Sequence, residues 1–310
     1  MNRLTFILSS VRIVLLTAMT VIVSSCGQPA APAARTGKLR VLTSFLPVQS
    51  HTAAIAGDHA EVRQLLSADT GPHDFQLTPA DVKQLAEADV FIVNGAGLEE
   101  WLEELTATAG RPQLVVVDLS RDLALTGNPA PFAAAGAPEA GKNPHTWLDP
   151  VLASQQAATI LAALQTADPA NAAAYAANAA DYARQLDALD VEYRTTLAPL
   201  ENKNLVTFHD AFPYLASRYG LTYIGCISEF PEKDPPPQQL AALVDAIRDA
   251  KVGVLFAESG YAPDLLKEIA RQTGARVSQL DTMELGLGHP SAYLERMRGN
   301  LAALKAAFEQ

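Results

Sequence analysis

Four side chains that could bind a metal follow predicted strands of this 310-residue chain: His73, His145, His209 and Asp281. His73 lies in the loop after the second predicted strand, and His145 ends the loop after the fourth. His209 and Asp281 come directly after two later strands. In parallel sheets, ligands bind outside the carboxyl ends of strands. Three imidazoles and one carboxylate suit tetrahedral Zn²⁺, and imidazole also suits other transition metals. We therefore predict one metal site, with two ligands from each half of the chain.

The other histidines and the cysteines are weaker candidates for metal ligands. His51 and His59 flank a predicted first helix, and we expect both to be solvated. His289 lies in a glycine-rich loop eight residues past Asp281 and could line the same cleft. Cys226 is predicted to be a buried strand residue. Because the chain has only 2 cysteines, a ribbon of paired CxxC motifs and a disulfide framework are both excluded.

A hydrolytic metal site is an alternative from another functional class. Catalytic zinc usually keeps three protein ligands and an open position for water. Without Asp281, the three histidines would form such a set, with Glu258 or Asp210 as a candidate base. The sequence contains neither His-Glu-x-x-His nor Gly-x-Ser-x-Gly. A closed site with four ligands binds a metal without hydrolysis, so we predict a binding protein and not an enzyme.

The predicted strands and helices that must position these residues indicate an α/β fold. Short β-branched runs alternate with amphipathic stretches, which is typical of parallel sheets with right-handed crossovers. We predict two lobes, each with a parallel four-stranded sheet, and the metal site in the cleft between them. Thr78, Pro79 and Asp81 predict a helix start after His73. The predicted strands are 39–44, 60–66, 89–93 and 114–118, then 205–208, 222–227, 252–257 and 276–280.

One long rigid α-helix is predicted between the lobes. Residues 169–198 are rich in alanine and contain no glycine and no internal proline. Some 30 residues in a helix would form a rod of about 45 Å. Two shorter helices with a break between them are the alternative. The large apolar side chains recur on one helical face: Tyr175, Tyr182, Leu186, Leu189, Tyr193 and Leu197.

The N-terminus has the pattern of an export signal. Arg3 gives a short positive start, and an apolar core follows over residues 13–23. Arg12 interrupts any longer apolar run, so a helix of about 20 residues that spans a membrane does not fit. Val23-Ser24-Ser25-Cys26 resembles a bacterial lipobox, in which Cys26 would be lipidated and begin the mature chain. A plain secretory signal with an incidental cysteine is the alternative.

These patterns divide the chain into five predicted segments. They are a lipoprotein signal peptide (1–25), a flexible tether (26–37), an N-terminal βα lobe (38–166), the linking helix (167–199) and a C-terminal βα lobe (200–310). The expected location is extracytoplasmic, with the lipid in the membrane and the chain in the periplasm or at the outer face of the cell membrane. The net charge of −11 argues against nucleic acid as a partner. We expect a monomer.

Three longer motifs occur in order along the predicted mature chain. They are Gly71-Pro72-His73-Asp74-Phe75-Gln76-Leu77-Thr78-Pro79-Ala80-Asp81, Asn143-Pro144-His145-Thr146-Trp147-Leu148-Asp149-Pro150 and Phe208-His209-Asp210-Ala211-Phe212. Together with Leu280-Asp281 and the helix after it, they resemble the zinc- and manganese-uptake solute-binding lipoproteins of bacterial ABC transporters. The resemblance covers nearly all of the predicted mature chain.

This resemblance implies two lobes bridged by a rigid helix, with one metal bound between them by His73, His145, His209 and Asp281. A glutamate at the third ligand position is typical of manganese receptors in that family, whereas a histidine, here His209, is typical of the zinc branch. The resemblance therefore implies capture of Zn²⁺ and its delivery to a membrane permease with its ATPase. A receptor for Mn²⁺ or iron is the alternative, and the sequence leaves a second role in cell adhesion open.

Two features depart from the pattern of that family. Many of its zinc receptors carry a loop rich in histidine and acids before the second ligand. Residues 120–144 contain no histidine, and their only acids are Asp122 and Glu139. Some zinc receptors also have a disulfide in the second lobe, which Cys226 alone cannot form within the chain.

Overall fold

The computed structural model describes residues 37–73, 75–111, 113–126, 142–228, 235–258 and 264–309. These residues contain two parallel four-stranded sheets with helices packed against them. The predicted signal peptide, Cys26 and nearly all of the tether lie outside the described residues. Among the helices within the described ranges, none is both long enough and apolar enough to cross a membrane.

The first sheet has the strand order β2-β1-β3-β4. Its central strand β3 reads Val-Phe-Ile-Val and is buried on both faces, as expected for a parallel strand covered by helices. Asp81 stabilises the start of α2, because its carboxylate accepts hydrogen bonds from the backbone N–H and the hydroxyl of Thr78. The elements of this first lobe are β1 (Leu39–Thr43), α1 (Leu46–Ala56), β2 (Ala60–Gln64), α2 (Pro79–Glu87), β3 (Val90–Val93), α3 (Leu102–Ala109) and β4 (Val115–Asp118).

Two helices connect the sheets, α4 (Pro150–Ala167) and α5 (Ala172–Leu197). A 3-10 turn (Pro169–Asn171) precedes α5, which then continues without a break for 26 residues. The prediction of one long linking helix is therefore confirmed. The apolar face predicted for this helix is buried throughout: Tyr175, Tyr182, Leu186, Leu189, Tyr193 and Leu197.

The second sheet has the order β6-β5-β7-β8, so both sheets repeat one arrangement of parallel strands. Cys226 ends β6 and is buried, as predicted. The elements of this second lobe are β5 (Asn204–Thr207), α6 (Pro213–Tyr219), β6 (Thr222–Cys226), α7 (Pro237–Asp249), β7 (Val254–Glu258), α8 (Asp264–Thr273), β8 (Arg276–Leu280) and α9 (Ala292–Phe308).

The two lobes share one hydrophobic core. A single cluster of buried side chains runs from the first sheet through α5 and α9 into the second sheet. Tyr193 illustrates this sharing, because its hydroxyl on α5 donates to the backbone carbonyl of Met297 on α9. A separate cluster lies between β5, β7, α7 and α8. The residue bounds of the five predicted segments stay predictions.

His51 is buried within this shared core, so the prediction that it is solvated is wrong. Its Nδ1 lies 2.7 Å from the hydroxyl of Tyr182 on α5, and its ring centroid is 4.4 Å from that of Tyr293 on α9. Burial lowers the pKa of His51 to about 3. The two covering helices are distant in sequence, which is why the local pattern did not indicate burial. His59 is exposed, as predicted.

Candidate metal centre

Three imidazoles and one carboxylate meet in the cleft between the lobes. His73, His145, His209 and Glu284 each offer one ligand atom, and these atoms all lie within 4.8 Å of one another. Glu284 Oε1 is 3.5, 3.2 and 3.4 Å from the Nε2 atoms of the three histidines, taken in sequence order. The Nε2 atoms of His145 and His209 are 3.2 Å apart. Ligands at Zn²⁺ distances would lie about 3.3–3.6 Å from one another in a tetrahedron. The cluster therefore has the dimensions of a tetrahedral metal site.

Each of these side chains lies beyond the carboxyl end of a strand, as predicted for parallel sheets. His73 is in the loop between β2 and α2, and His145 precedes a 3-10 turn (Thr146–Leu148) that leads into α4. His209 follows β5 and Glu284 follows β8. Two side chains thus come from each lobe, which is the division that the sequence predicts.

The carboxylate of the cluster belongs to Glu284, and the structure does not bring the predicted Asp281 into it. Asp281 Oδ2 lies 3.1 Å from Arg296 Nη1, and its Oδ1 accepts a hydrogen bond from the backbone N–H of Met283. Its side chain is 30% exposed. Met283 then takes a left-handed backbone conformation, with φ of 62°, and Glu284 follows with its side chain buried against the imidazoles. The turn at Met283 therefore separates the two acids, and Glu284 instead of Asp281 faces the imidazoles.

One sequence signal could have identified Glu284. It stands between Met283 and Leu285, so an acidic side chain has two apolar neighbours in a loop that is otherwise rich in glycine. Carboxylates are rarely buried unless they are paired or bind a metal. The rule about strand ends identifies the loop but does not say which carboxylate of the loop faces the cleft.

Glu258 orients His209. The carboxylate at the end of β7 accepts a hydrogen bond from Nδ1 of His209 and another from its backbone N–H, the latter at 3.0 Å. Burial lowers the pKa of His209, but the charges of Glu258 and Glu284 outweigh burial and hold that pKa well above its ordinary value. Because Nδ1 donates to Glu258, Nε2 is the nitrogen that would give up its proton to bind a metal. Such carboxylate–histidine pairs are common beside bound metals. Glu258 therefore supports the cluster from outside it.

Asn143 holds His145 in a similar way. Its Oδ1 lies 2.9 Å from Nδ1 of His145 and also accepts the backbone N–H of that residue. Burial lowers the pKa of His145 to about 4, so its ring is neutral near pH 7. A neutral ring with its proton on Nδ1 directs the lone pair of Nε2 toward His209 and Glu284.

Glu284 is the strongest indication that a cation belongs here. Both of its carboxylate oxygens are buried, and among the described residues neither has a hydrogen-bond partner with good geometry. The nearest polar atoms are the imidazole nitrogens, 3.2–3.5 Å from Oε1. Burial raises its pKa, but the charge of His209 and the nearby imidazoles outweigh burial and lower that pKa well below its ordinary value. A buried anion without hydrogen bonds is costly unless an opposite charge lies beside it. The ring of His209 supplies that charge in the metal-free chain, and a divalent cation among the four side chains would take over that role.

His289 is not part of the cluster. Its side chain is 54% exposed, and its Nε2 lies 3.8 Å from Oε2 of Glu295 on α9. Its backbone carbonyl accepts a hydrogen bond from the hydroxyl of Ser50 on α1, so the residue ties its loop to the first lobe. His289 therefore does not line the candidate site, although the sequence left that possibility open.

A family model matches nearly all of the described part of the chain. The model of the zinc-uptake complex component A, periplasmic, matches residues 41–307. The high-affinity zinc uptake system protein ZnuA of Bacillus subtilis (strain 168) is 30% identical over 306 residues, which cover 94% of this chain and 95% of that protein.

Two solved structures share the fold. The laminin-binding protein Lmb of Streptococcus agalactiae, described as bifunctional with adhesin and metal transporting activity, has a TM-score of 0.77 and 32% identity, covering 87% of this chain and 99% of its own. FpvC of Pseudomonas aeruginosa, in complex with Mn²⁺, has a TM-score of 0.80 and 30% identity. The match covers 88% of this chain and 99% of FpvC. The resemblance inferred from the sequence motifs is thereby confirmed: the chain belongs to the family of periplasmic zinc-uptake complex component A proteins.

Proposed function

We propose that this chain is the extracytoplasmic receptor of an ABC importer, and that it binds one Zn²⁺ ion through His73, His145, His209 and Glu284. The tetrahedral spacing of three nitrogens and one oxygen carries the proposal. In this function the loaded receptor delivers the ion to a membrane permease with its ATPase. Membership of the zinc-uptake family supports the delivery role.

Zinc is favoured over manganese by the ligand chemistry. The Irving–Williams order ranks Zn²⁺ above Mn²⁺, and imidazole suits zinc whereas Mn²⁺ prefers oxygen ligands. Three of the four candidate ligand atoms are imidazole nitrogens. A manganese receptor is the second candidate, because the similar FpvC structure holds Mn²⁺. The iron alternative has the same chemical basis, since imidazole also binds iron.

A binding role is favoured over hydrolysis by the surroundings of the cluster. Both acids that could act as a base in a hydrolase have other partners. Glu258 accepts from His209, and Asp210 accepts from the hydroxyl of Tyr223 and the amide of Asn143. Four protein ligands would also fill a tetrahedral shell and leave no position for a reactive water.

The remaining parts of the proposal concern location and assembly. We propose that lipidation of Cys26 anchors the mature chain to a membrane and that residues 26–37 act as its tether. The receptor would then stand in the periplasm or at the outer face of the cell membrane. We propose that it works as a monomer, since the cluster takes all four side chains from one chain.

Calorimetric competition tests this function directly. The mature chain, stripped of metal with a chelator and dialysed, is titrated with Zn²⁺ in the presence and absence of Mn²⁺. We expect one Zn²⁺ per chain and displacement of Mn²⁺ by Zn²⁺. His73→Ala should weaken binding strongly, whereas His289→Ala, a matched change of an exposed histidine, should leave it unchanged. Tighter binding of Mn²⁺, or equal effects of the two variants, would overturn the assignment.

A further inference from the structure

The side chain of Asn143 connects the two lobes beside the metal cluster. On one side, its Oδ1 lies 2.9 Å from Nδ1 of His145 in the first lobe. On the other side, its Nδ2 donates to the backbone carbonyl of Asp210 at 2.7 Å and to the Oδ2 of Asp210 at 3.1 Å, in the second lobe. Asp210 directly follows His209. One buried amide therefore touches the segments that carry two of the four candidate ligands.

The chemistry of these partners determines which way the amide of Asn143 faces. Asp210 presents a backbone carbonyl and a carboxylate oxygen, which accept hydrogen bonds, so the NH₂ group must face Asp210. The amide oxygen is then turned toward His145. An oxygen acceptor next to Nδ1 requires the proton of the neutral ring to be on Nδ1. The lone pair is consequently on Nε2, which faces the cluster.

Further hydrogen bonds from the second lobe fix this arrangement. The hydroxyl of Tyr223 on β6 donates to Asp210 Oδ1 at 2.6 Å. The hydroxyl of Tyr214 on α6 donates to the backbone carbonyl of Asn143 at 2.8 Å. The second lobe thus sets the orientation of Asn143, and Asn143 sets the orientation of a ligand in the first lobe.

We propose that Asn143 is a positioning residue: it makes the strength of zinc binding by His145 depend on contact between the lobes. While the lobes are in contact, Asn143 holds the Nε2 lone pair of His145 toward the ion. When the lobes separate at Asn143 and Asp210, the amide loses both of its bonds to Asp210 and, apart from its contact with the ring of His145, keeps only the one from the backbone N–H of that residue. The ring of His145 is then held in its orientation less firmly, and zinc is bound more weakly. A permease could then weaken the site by opening the lobes without touching a ligand. This inference rests on the proposed zinc-binding function.

A reciprocal exchange of side chains tests the link. Asn143→Asp keeps an acceptor for His145 but places two carboxylates side by side, so the bond to Asp210 is lost. Outer-shell changes of this kind typically weaken metal binding by about 10–100-fold. The double variant Asn143→Asp with Asp210→Asn restores the side-chain bond across the lobes with donor and acceptor exchanged, but not the bond to the backbone carbonyl of residue 210. We therefore expect the double variant to recover a measurable part of the lost zinc affinity.

Three measurements separate positioning from loss of stability. Zinc affinity is measured by chelator competition, the fold by urea unfolding without metal, and the geometry by the visible absorption of bound Co²⁺, which is intense in tetrahedral sites. Asn204→Asp is the matched control, because Asn204 Nδ2 donates to the carbonyl of Ala250 away from the cluster. Asn143→Asp should change the Co²⁺ spectrum, and the control should not. If Asn143→Asp does not fold, Tyr223→Phe removes only the hydroxyl that fixes Asp210 and should still weaken zinc binding by about 2–5-fold, below the usual outer-shell range.

The outcomes are distinct. Weaker zinc binding by Asn143→Asp, an altered Co²⁺ spectrum and recovery in the double variant support the link. Zinc affinity within twofold of the unchanged protein, or a loss that the double variant does not recover, overturns it. If the unchanged protein itself binds no zinc, the proposed function fails and not this inference alone.

Discussion

Asp281 and Arg296 form an ion pair at the edge of the metal cluster, with 3.1 Å between Oδ2 and Nη1. The same Nη1 donates to the backbone carbonyl of Leu285 at 2.9 Å, and Asp281 Oδ1 accepts the N–H of Met283 at 2.8 Å. The pair therefore holds the residues on both sides of Glu284. The two acids of this loop have different roles, since Asp281 shapes the loop and Glu284 faces the imidazoles.

Substitution of each acid by its amide should separate these roles. Glu284→Gln removes the negative ligand from the cluster, so zinc affinity should fall by more than the roughly 10–100-fold that is typical of an outer-shell change. Asp281→Asn keeps an oxygen for the N–H of Met283, so its effect should stay within or below that range. Chelator competition with Zn²⁺ measures both. A larger loss in Asp281→Asn than in Glu284→Gln would make Asp281 the ligand.

Zinc should stabilise the folded chain through the same cluster. A ligand that binds only the folded state adds about 2.7 kcal/mol to the free energy of unfolding when it is present at 100 times its dissociation constant. The urea midpoint should therefore rise with zinc in the unchanged protein and in His289→Ala. In His209→Ala the rise should be much smaller, because this variant lacks a candidate ligand. Equal midpoint shifts in all three proteins would mean that zinc stabilises the fold from another site.

Acid should weaken the fold through His51. Its pKa is about 3 in the folded chain, because burial disfavours the charged ring, and about 6.5 in the unfolded chain. Between these values the unfolded chain binds a proton that the folded chain does not. The free energy of unfolding therefore decreases as the pH falls below 6.5, by up to about 1.4 kcal/mol per pH unit from this group.

The variant His51→Gln isolates that contribution. Glutamine does not titrate and can still hydrogen-bond to the hydroxyl of Tyr182, so the loss of stability between pH 6.5 and about 4.5 should be shallower than in the unchanged protein. Urea unfolding in chelator at several pH values measures the slope. His59→Gln changes an exposed histidine and serves as the control. A slope in His51→Gln as steep as in the control would contradict the assignment of this pH dependence to His51.

Most of the fold could be predicted from local sequence patterns, because strands, helix faces and helix starts depend mainly on residues that are close together in sequence. All eight predicted strands are present, with ends that differ by at most two residues. The apolar face of α5 and the start of α2 at Thr78 were readable because helical periodicity and capping depend on a few adjacent residues. Three of the four side chains of the cluster were found for a similar reason, since a histidine after a strand lies at a known edge of the sheet.

What the local patterns missed depends on distant parts of the chain or on backbone torsions. Glu284 instead of Asp281 faces the imidazoles because the backbone turns at Met283, which is in the left-handed conformation. Since Met283 is not a glycine, the sequence gives no signal of this turn. The burial of His51 requires α5 and α9, which are far away in sequence. The role of Asn143 requires Asp210 in the other lobe. These features are determined by packing between elements.

The last prediction concerns shape, because the lobes are joined by more than α5. Arg218 on α6 pairs with the buried Asp149 at the start of α4, with Nε 2.8 Å from Oδ2. The indole N–H of Trp147 donates to the carbonyl of Thr282 at 2.8 Å, and this bond also crosses between the lobes. With the shared core, these contacts oppose a wide opening of the cleft. Metal should therefore act through small changes near its ligands, since a ligand shifts a conformational equilibrium only through contacts that differ between the states.

Scattering and hydrogen exchange together test this expectation. The radius of gyration measured by small-angle X-ray scattering should be nearly the same with and without zinc, because the ion pair of Arg218, the bond of Trp147 and the shared core persist in both states. Hydrogen exchange should slow on zinc binding at residues 208–210 and 282–285, which carry the candidate ligands of the second lobe. Arg218→Met should increase the change in radius, whereas Arg184→Met, which removes an exposed pair within α5, should not. A large change in radius in the unchanged protein would refute the rigid connection, and unchanged exchange at both segments would refute local ordering by the metal.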